Sequence, residues 1–239
     1  MSMYVLVHGG GHGGWCWQRV ARVLRAQGHE VYAPTLTGFG DRCHLGSAET
    51  PFDTFVTDIV QVVEFEGLTD IVLVGHSMGG VVIPRVAQRI PDRIRQVVWL
   101  AAVVCADGEN LLQAVPPSSE MAAAVTVLAD GSIRTDQRLI VEGVLSDGTP
   151  EEKEWVLARH RPYPQAALTE PGRLTEFLAL GLPTAYVTAL RDVAVPPACT
   201  AVFADRLPGV VRADVDSSHD CMISRPEETA AALLAVTLK

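Results

Sequence analysis

Residues 71–80 read Ile-Val-Leu-Val-Gly-His-Ser-Met-Gly-Gly. An apolar, mostly β-branched run ends at Gly75, and the pattern Gly75-x-Ser77-x-Gly79 leads at once into a helical stretch, Met78–Arg89. A strand that turns so abruptly into a helix puts the residue between them on a sharp, strained bend, its side chain lifted above the strand end. Side chains at the flanking positions would crowd that bend, so glycines stand on both sides of Ser77. The helix aims its free N–H groups and positive end at the same point. The stretch therefore carries two expectations. Ser77 is a nucleophile, and the chain is built of strand–helix units.

Similar units lie on either side. Tyr4–His8 reads as a first strand, followed by a Gly-rich turn and a helix over Trp15–Gln27 closed by Gly28. Glu30–Pro34 is a second strand and Phe52–Phe65 a helix. Beyond Ile71–Gly75 come strands at Val97–Val104, Thr184–Leu190 and Val210–Val215, and a last helix over Glu227–Leu238 with Ser224 and Glu227 placed as a capping box. The strands are continuously apolar rather than alternating, which burial on both faces demands. The expected fold is α/β: a doubly wound, mostly parallel six-stranded sheet whose crossovers are right-handed. One segment breaks the rhythm. Residues 108–181 show no convincing strand, while Thr149-Pro150-Glu151-Glu152 opens a helix and Gly172–Leu180 suggests another. The expected organisation is a core of 1–107 and 182–239 with a helical lid insertion, 108–181, over the carboxyl edge of the sheet, where such sheets bind ligands.

Composition narrows the function. Of 239 residues, 48% are apolar and 20% charged, which excludes a disordered chain. A net charge of −9 argues against nucleic acid as a partner, and no apolar run is long enough to span a membrane. Met1-Ser2-Met3 runs directly into the first strand without the features of a signal peptide. Five cysteines without a CxxC pair suggest free thiols in the cytoplasm and no zinc site, and no cofactor motif is present.

A serine hydroxyl needs a base, and the base needs an orienting group. His219 follows the last strand and is the expected base. Asp192 follows the fifth strand and is the expected acid, with Asp107, after the fourth, as the alternative. Two backbone N–H groups should hold the oxyanion: Met78, directly after the nucleophile, and Gly10 in the loop His8–Gly14. His8 and His12 are not spaced as a helical metal pair. His76 is expected to pack at the elbow, and Asp220 to sit on the rim.

These residues resemble the α/β-hydrolase superfamily, and within it the plant methylesterase and hydroxynitrile lyase family with its bacterial esterase relatives. The carrying stretches are Val7–Trp17, Ala33–Leu45, Gly75–Gly80, Arg191–Pro197 and Ser217–Glu228. The resemblance implies a Ser77/Asp192/His219 triad with Gly10 and Met78 as oxyanion donors. The lyase branch carries a Thr after the first-strand His and a Lys after the catalytic His; here Gly9 and Asp220 stand there. That departure favours ester hydrolysis, and the apolar side chains of the insertion favour a neutral, moderately hydrophobic ester or lactone as substrate. The alternative is non-hydrolytic work in small-molecule biosynthesis: a lyase, acyl transfer or cyclisation. Gly9 and Trp155 are expected to touch substrate. Further walls are expected from Leu111, Leu112, Val115, Met121, Val125, Leu128, Phe177 and Leu178, with Glu120 and Arg159 the few charges available.

Overall fold

The computed structural model describes residues 1–115 and 124–238. Its strands are β1 (Met3–Val7), β2 (Glu30–Tyr32), β3 (Ile71–His76), β4 (Ile94–Leu100), β5 (Val125–Val127), β6 (Ile133–Thr135), β7 (Thr184–Ala189) and β8 (Val211–Val215). Six of them form one sheet in the order β2-β1-β3-β4-β7-β8, and every pairing is parallel. Residues of a strand alternate between two cores. Val5, Leu73, Val97 and Trp99 face helices α2 (Phe52–Phe65) and α3 (Gly79–Arg89). Tyr4, Leu6, Val72, Val74 and Val98 face α1 (Gln18–Ala26) and the last helix. Both sides of the pleat are thus apolar, which accounts for runs such as Ile71–Val74.

The sheet order sets where a ligand can bind. The chain leaves β1 for β2 on one side and returns to β3 on the other. The carboxyl ends of β1 and β3 are neighbours whose loops diverge, and the crevice between them is the usual binding position of open α/β sheets. The elbow after β3 and the glycine loop after β1 both open there.

Between β4 and β7 the chain forms α4 (Leu111–Ala114), the antiparallel pair β5–β6, the turns Gln137–Leu139 and Ile140–Val144, α5 (Pro150–Leu157), a turn at Ala166–Thr169, and α6 (Leu174–Leu178). α5 opens where Thr149-Pro150-Glu151-Glu152 predicts a helix, and Thr149 and Glu152 form a capping box with both reciprocal bonds present. The β5–β6 pair corrects the expectation of a strandless segment; three-residue strands are too short to show a period. α7 (Pro197–Asp205) fills the crossover from β7 to β8, and α8 (Pro226–Val236) closes the fold. No helix among the described residues is long and apolar enough to cross a membrane.

Two further boundaries differ from expectation. β4 is Ile94–Leu100 rather than Val97–Val104, because Ala101 takes a left-handed backbone (φ 46°) that turns the chain out of the sheet. Residues 101–105 are apolar because they pack under the elbow, where Val103 N–H donates to the Ser77 carbonyl at 3.2 Å. The capping box at Ser224 does not form. Its hydroxyl faces that of Ser217 at 3.0 Å, and the residue at the cap is Arg225, with no side-chain bond.

Candidate active site

Ser77 lies between β3 and α3 with φ 53°, a conformation rare for a residue with a side chain. The strain is held by packing that only glycine allows. A Cβ on Gly75 would stand 2.7 Å from the Gly79 carbonyl oxygen, one on Gly79 2.8 Å from that of Val7, and one on Gly80 2.5 Å from that of Val103. The first turn of α3 is thus pressed onto β1 and the chain after β4, and the Ser77 hydroxyl faces the crevice. Gly9 completes this fit: its Cβ would lie 2.8 Å from Ser77 Cβ.

His219 follows β8 and is buried, 4% exposed. Its Nδ1 donates to Asp192 Oδ2 at 2.6 Å. Asp192, 3% exposed, caps its own turn after β7: Oδ1 accepts the backbone N–H groups of Ala194 and Val195, each at 2.8 Å. One carboxylate oxygen is thus committed to the backbone and the other to the imidazole. Burial opposes a charge on His219, but Asp192, by charge and hydrogen bond, and then Asp220 outweigh it and raise its pKa. The His219 loop is fastened from outside. Asp147 accepts Ser218 N–H at 3.2 Å, the Ser218 hydroxyl and Arg191 Nη2, and Asp220 N–H donates to Val144 at 2.9 Å.

The loop after β1 is held by two histidines. His8 Nδ1 donates to the Gly9 carbonyl at 2.8 Å while its Nε2 accepts Leu36 N–H at 3.0 Å, which is the neutral tautomer. Burial lowers its pKa to about 4. His12 bonds the Gly10 carbonyl at 2.7 Å through Nδ1 and Asp220 Oδ2 at 3.1 Å through Nε2. Gly9, Gly10, Ser77, Met78 and His219 all border one cavity of about 360 Å³. Its other walls are mostly aliphatic, and among the described residues that line it there is no Asp, Glu, Lys or Arg. His76, His219 and Asp220 bring possible metal-ligating atoms within 4.8 Å of one another. Each of the three residues also has a structural bond: His76 Nε2 donates to the His219 carbonyl at 3.1 Å, His219 Nδ1 donates to Asp192, and Asp220 Oδ2 serves His12.

Several expectations need revision. Asp220 is not on the rim but fully buried. A neighbour in sequence usually points away from the site, but here the one-turn helix Cys221–Ser224 starts at Asp220, and the loop folds its carboxylate back under His12. Asp107 is exposed and bonds Thr175, so it has no part in the cluster. Trp155 does not reach the cavity. It stacks edge-on against Trp15, ring centroids 4.9 Å apart, with Arg159 over its face. Of the expected walls, Leu111, Leu112, Val115 and Val125 line the cavity, whereas Leu128, Phe177 and Leu178 do not; Phe177 packs on Trp99. Met121 and Glu120 lie outside the described residues. His160 and Tyr163, which no motif marks, do line it. A Cβ on Gly11, a left-handed residue at φ 70°, would sit 1.9 Å from His160 Nε2, so that glycine is what lets His160 approach. Burial lowers the pKa of His160 to about 3 and keeps the ring neutral.

Known proteins resemble this chain along nearly its whole length. The family model for the alpha/beta hydrolase family matches residues 4–232. A carbendazim hydrolyzing esterase from a Nocardioides species is 34% identical over 99% of this chain and 100% of its own length. A probable esterase from Oryza sativa is 27% identical over 99% of this chain and 97% of its own. An extracellular alpha/beta-hydrolase from a Paenibacillus species superposes with a TM-score of 0.91 over 100% of both chains at 23% identity, a likeness of fold. The resemblance read from the glycine loop and the elbow is borne out: the chain belongs to the alpha/beta hydrolase family.

Proposed function

We propose that the protein is a serine ester hydrolase acting on a neutral, moderately hydrophobic carboxylic ester or lactone. The observation that carries this reading is the His219–Asp192 pair, bonded at 2.6 Å, on the wall of the cavity that Ser77 also borders. Ser77 Oγ attacks the ester carbonyl as His219 Nε2 takes its proton. Asp192 fixes the tautomer in which Nε2 is free to accept it. The backbone N–H groups of Gly10 and Met78 receive the negative charge of the tetrahedral intermediate; one such donor contributes roughly 3 kcal/mol in comparable sites. His219 returns the proton to the departing alcohol, leaving an acyl group on Ser77. Water, deprotonated by the same imidazole, then releases the acid.

The walls support the substrate class. Leu111, Leu112, Val115, Leu139, Ile140 and Val195 offer apolar contact, and among the described lining residues there is no carboxylate, Lys or Arg to recognise a charged acyl group. Residues 108–181 act in this reading as a lid, since most of that apolar wall belongs to them. The names of the Nocardioides and rice relatives, both esterases, point to the same reaction. All five cysteines are free, and we place the protein in the cytoplasm on that ground. The test is a panel of 4-nitrophenyl esters from acetate to decanoate, run on the wild type and on Ser77→Ala. Turnover that depends on Ser77 and rises with acyl length over a short range is expected. No turnover of any ester would overturn the reading.

A further inference from the structure

His12 stands between two acceptors. The Gly10 carbonyl, 2.7 Å from Nδ1, has no proton to give, so Nδ1 carries the hydrogen. Asp220 Oδ2 lies 3.1 Å from Nε2. Asp220 is completely buried, and its Oδ1 has no partner among the described side chains and backbone. Burial alone would protonate it, but the charge and hydrogen bond of His12 hold its pKa at about 2. A carboxylate facing Nε2 requires a proton there as well. Both ring nitrogens are then donors, and the imidazole is a cation.

The other titratable groups around the pair do not take that charge. His8 on the same loop, His76 on β3 and His160 from the insertion all have lowered pKa values through burial. The Cys16 and Cys221 thiols are raised by burial and stay neutral. Among the described groups, His219 is the other possible cation whose charge acts on Asp220. The His12 ring is itself fixed by stacking on Trp15, centroids 5.3 Å apart and planes at 26°.

We propose that His12 is a positioning residue. Held as a cation between the Gly10 carbonyl and Asp220, it locks the oxyanion loop to the segment that carries the catalytic base. The loop needs such a lock. Gly9, Gly10 and Gly11 follow one another, and a run of glycines has no side chain to restrict its backbone. His8 pins the peptide that bears the Gly10 N–H, and His12 pins the next one. The pair has a second consequence. Asp220 adjoins His219 in the chain, and its charge reaches that ring. With His12 cationic, the carboxylate's charge is partly offset, so it raises the pKa of the base less than an unpaired carboxylate would.

The proposal rests on the ester-hydrolase reading for its kinetic part only, so its test has two arms. The first is ¹⁵N NMR of the imidazole rings in the wild type, on folded protein and independent of activity. At pH 7.5 both His12 ring nitrogens are expected to be protonated, and in Asp220→Asn one of them becomes free. A neutral His12 in the wild type overturns the proposal. The second arm is the pH dependence of kcat/KM with 4-nitrophenyl butyrate. In His12→Gln an unpaired Asp220 carboxylate favours the His219 cation, so the acid limb moves to higher pH. In Asp220→Asn, where His12 is neutral as well, it moves to lower pH, and the double variant matches Asp220→Asn. His12→Gln also lowers kcat about tenfold or more with little change in KM, since an oxyanion donor acts in the transition state. Acid limbs that stay put in both single variants overturn the proposal. If hydrolysis does not depend on Ser77, the ester reading fails, and the NMR arm still decides the state of His12.

Discussion

Replacing Asp192 by Asn tests the site through a single atom. Oδ1 of Asp192 accepts two backbone N–H groups, from Ala194 and Val195, each at 2.8 Å. In the Asp192→Asn variant the amide oxygen must stay at that position, because turning the NH₂ toward two N–H donors would set donors against donors. The NH₂ group then occupies the place of Oδ2 and faces His219 Nδ1, where the carboxylate accepted at 2.6 Å. To receive that hydrogen, Nδ1 must lose its own, and the remaining proton moves to Nε2. The imidazole is held in the tautomer that cannot accept the Ser77 proton. The same swap in a serine protease costs about 10⁴ in kcat, or about 5.5 kcal/mol of barrier. Here it costs a similar amount, because the two backbone donors leave the amide no second orientation. The assay is kcat for 4-nitrophenyl butyrate at pH 8, with thermal unfolding to confirm the fold, beside Asp107→Asn. Asp107 is exposed and its carboxylate bonds Thr175 at the surface, so its variant keeps wild-type rates. An Asp192→Asn enzyme with more than a tenth of wild-type kcat, or a larger loss in Asp107→Asn, refutes the assignment.

Three other outcomes follow from the same geometry. Gly9→Ala puts a Cβ 2.8 Å from Ser77 Cβ; a nucleophile displaced by about 1 Å loses on the order of 10²-fold in kcat, and a variant within threefold of wild type would contradict the packing argument. The kcat/KM profile rises with pH as His219 loses its proton, with a midpoint above the ordinary 6.5 because Asp192 and Asp220 hold the proton; a midpoint below 6.5 would contradict it. His8 is neutral when folded, with a pKa of about 4. Unfolding lets it take up a proton below its free value, so stability falls as pH drops from about 6.5 to about 4, by up to about 3 kcal/mol from this residue. Urea unfolding at pH 7 and pH 4.5 checks this, and equal stabilities would count against it.

Much of this is readable in the chain because its signals are local. The bend at Ser77 announces itself through glycines at 75, 79 and 80, each of which packs against backbone. The parallel sheet shows as apolar runs such as Ile71–Val74, because both faces of each strand are covered. Asp192 and His219 are found by following strands to their ends, where a doubly wound sheet gathers its loops. What stays hidden depends on contacts between distant parts of the chain. Asp220 reads as a surface residue until His12, 208 positions away, is seen to hold it. His160 and Tyr163 reach the cavity only through the path of the insertion, and no periodicity encodes that path. Trp155 misleads for the same reason: a large apolar side chain marks burial of some kind, and here its partner is Trp15. The end of β4 is misread from sequence because Val103 and Val104 are apolar for the sake of the elbow, not of the sheet.

Ester hydrolysis through Ser77 requires an acyl group carried by its hydroxyl. Rapid acid quench of the enzyme mixed with 4-nitrophenyl butyrate, followed by mass spectrometry of the intact protein and its peptides, looks for that group itself. The expected result is one butyryl group per chain on the peptide containing Ser77, absent from Ser77→Ala. Turnover without any acylated peptide, or acylation of the Ser77→Ala protein to the same extent, would contradict it.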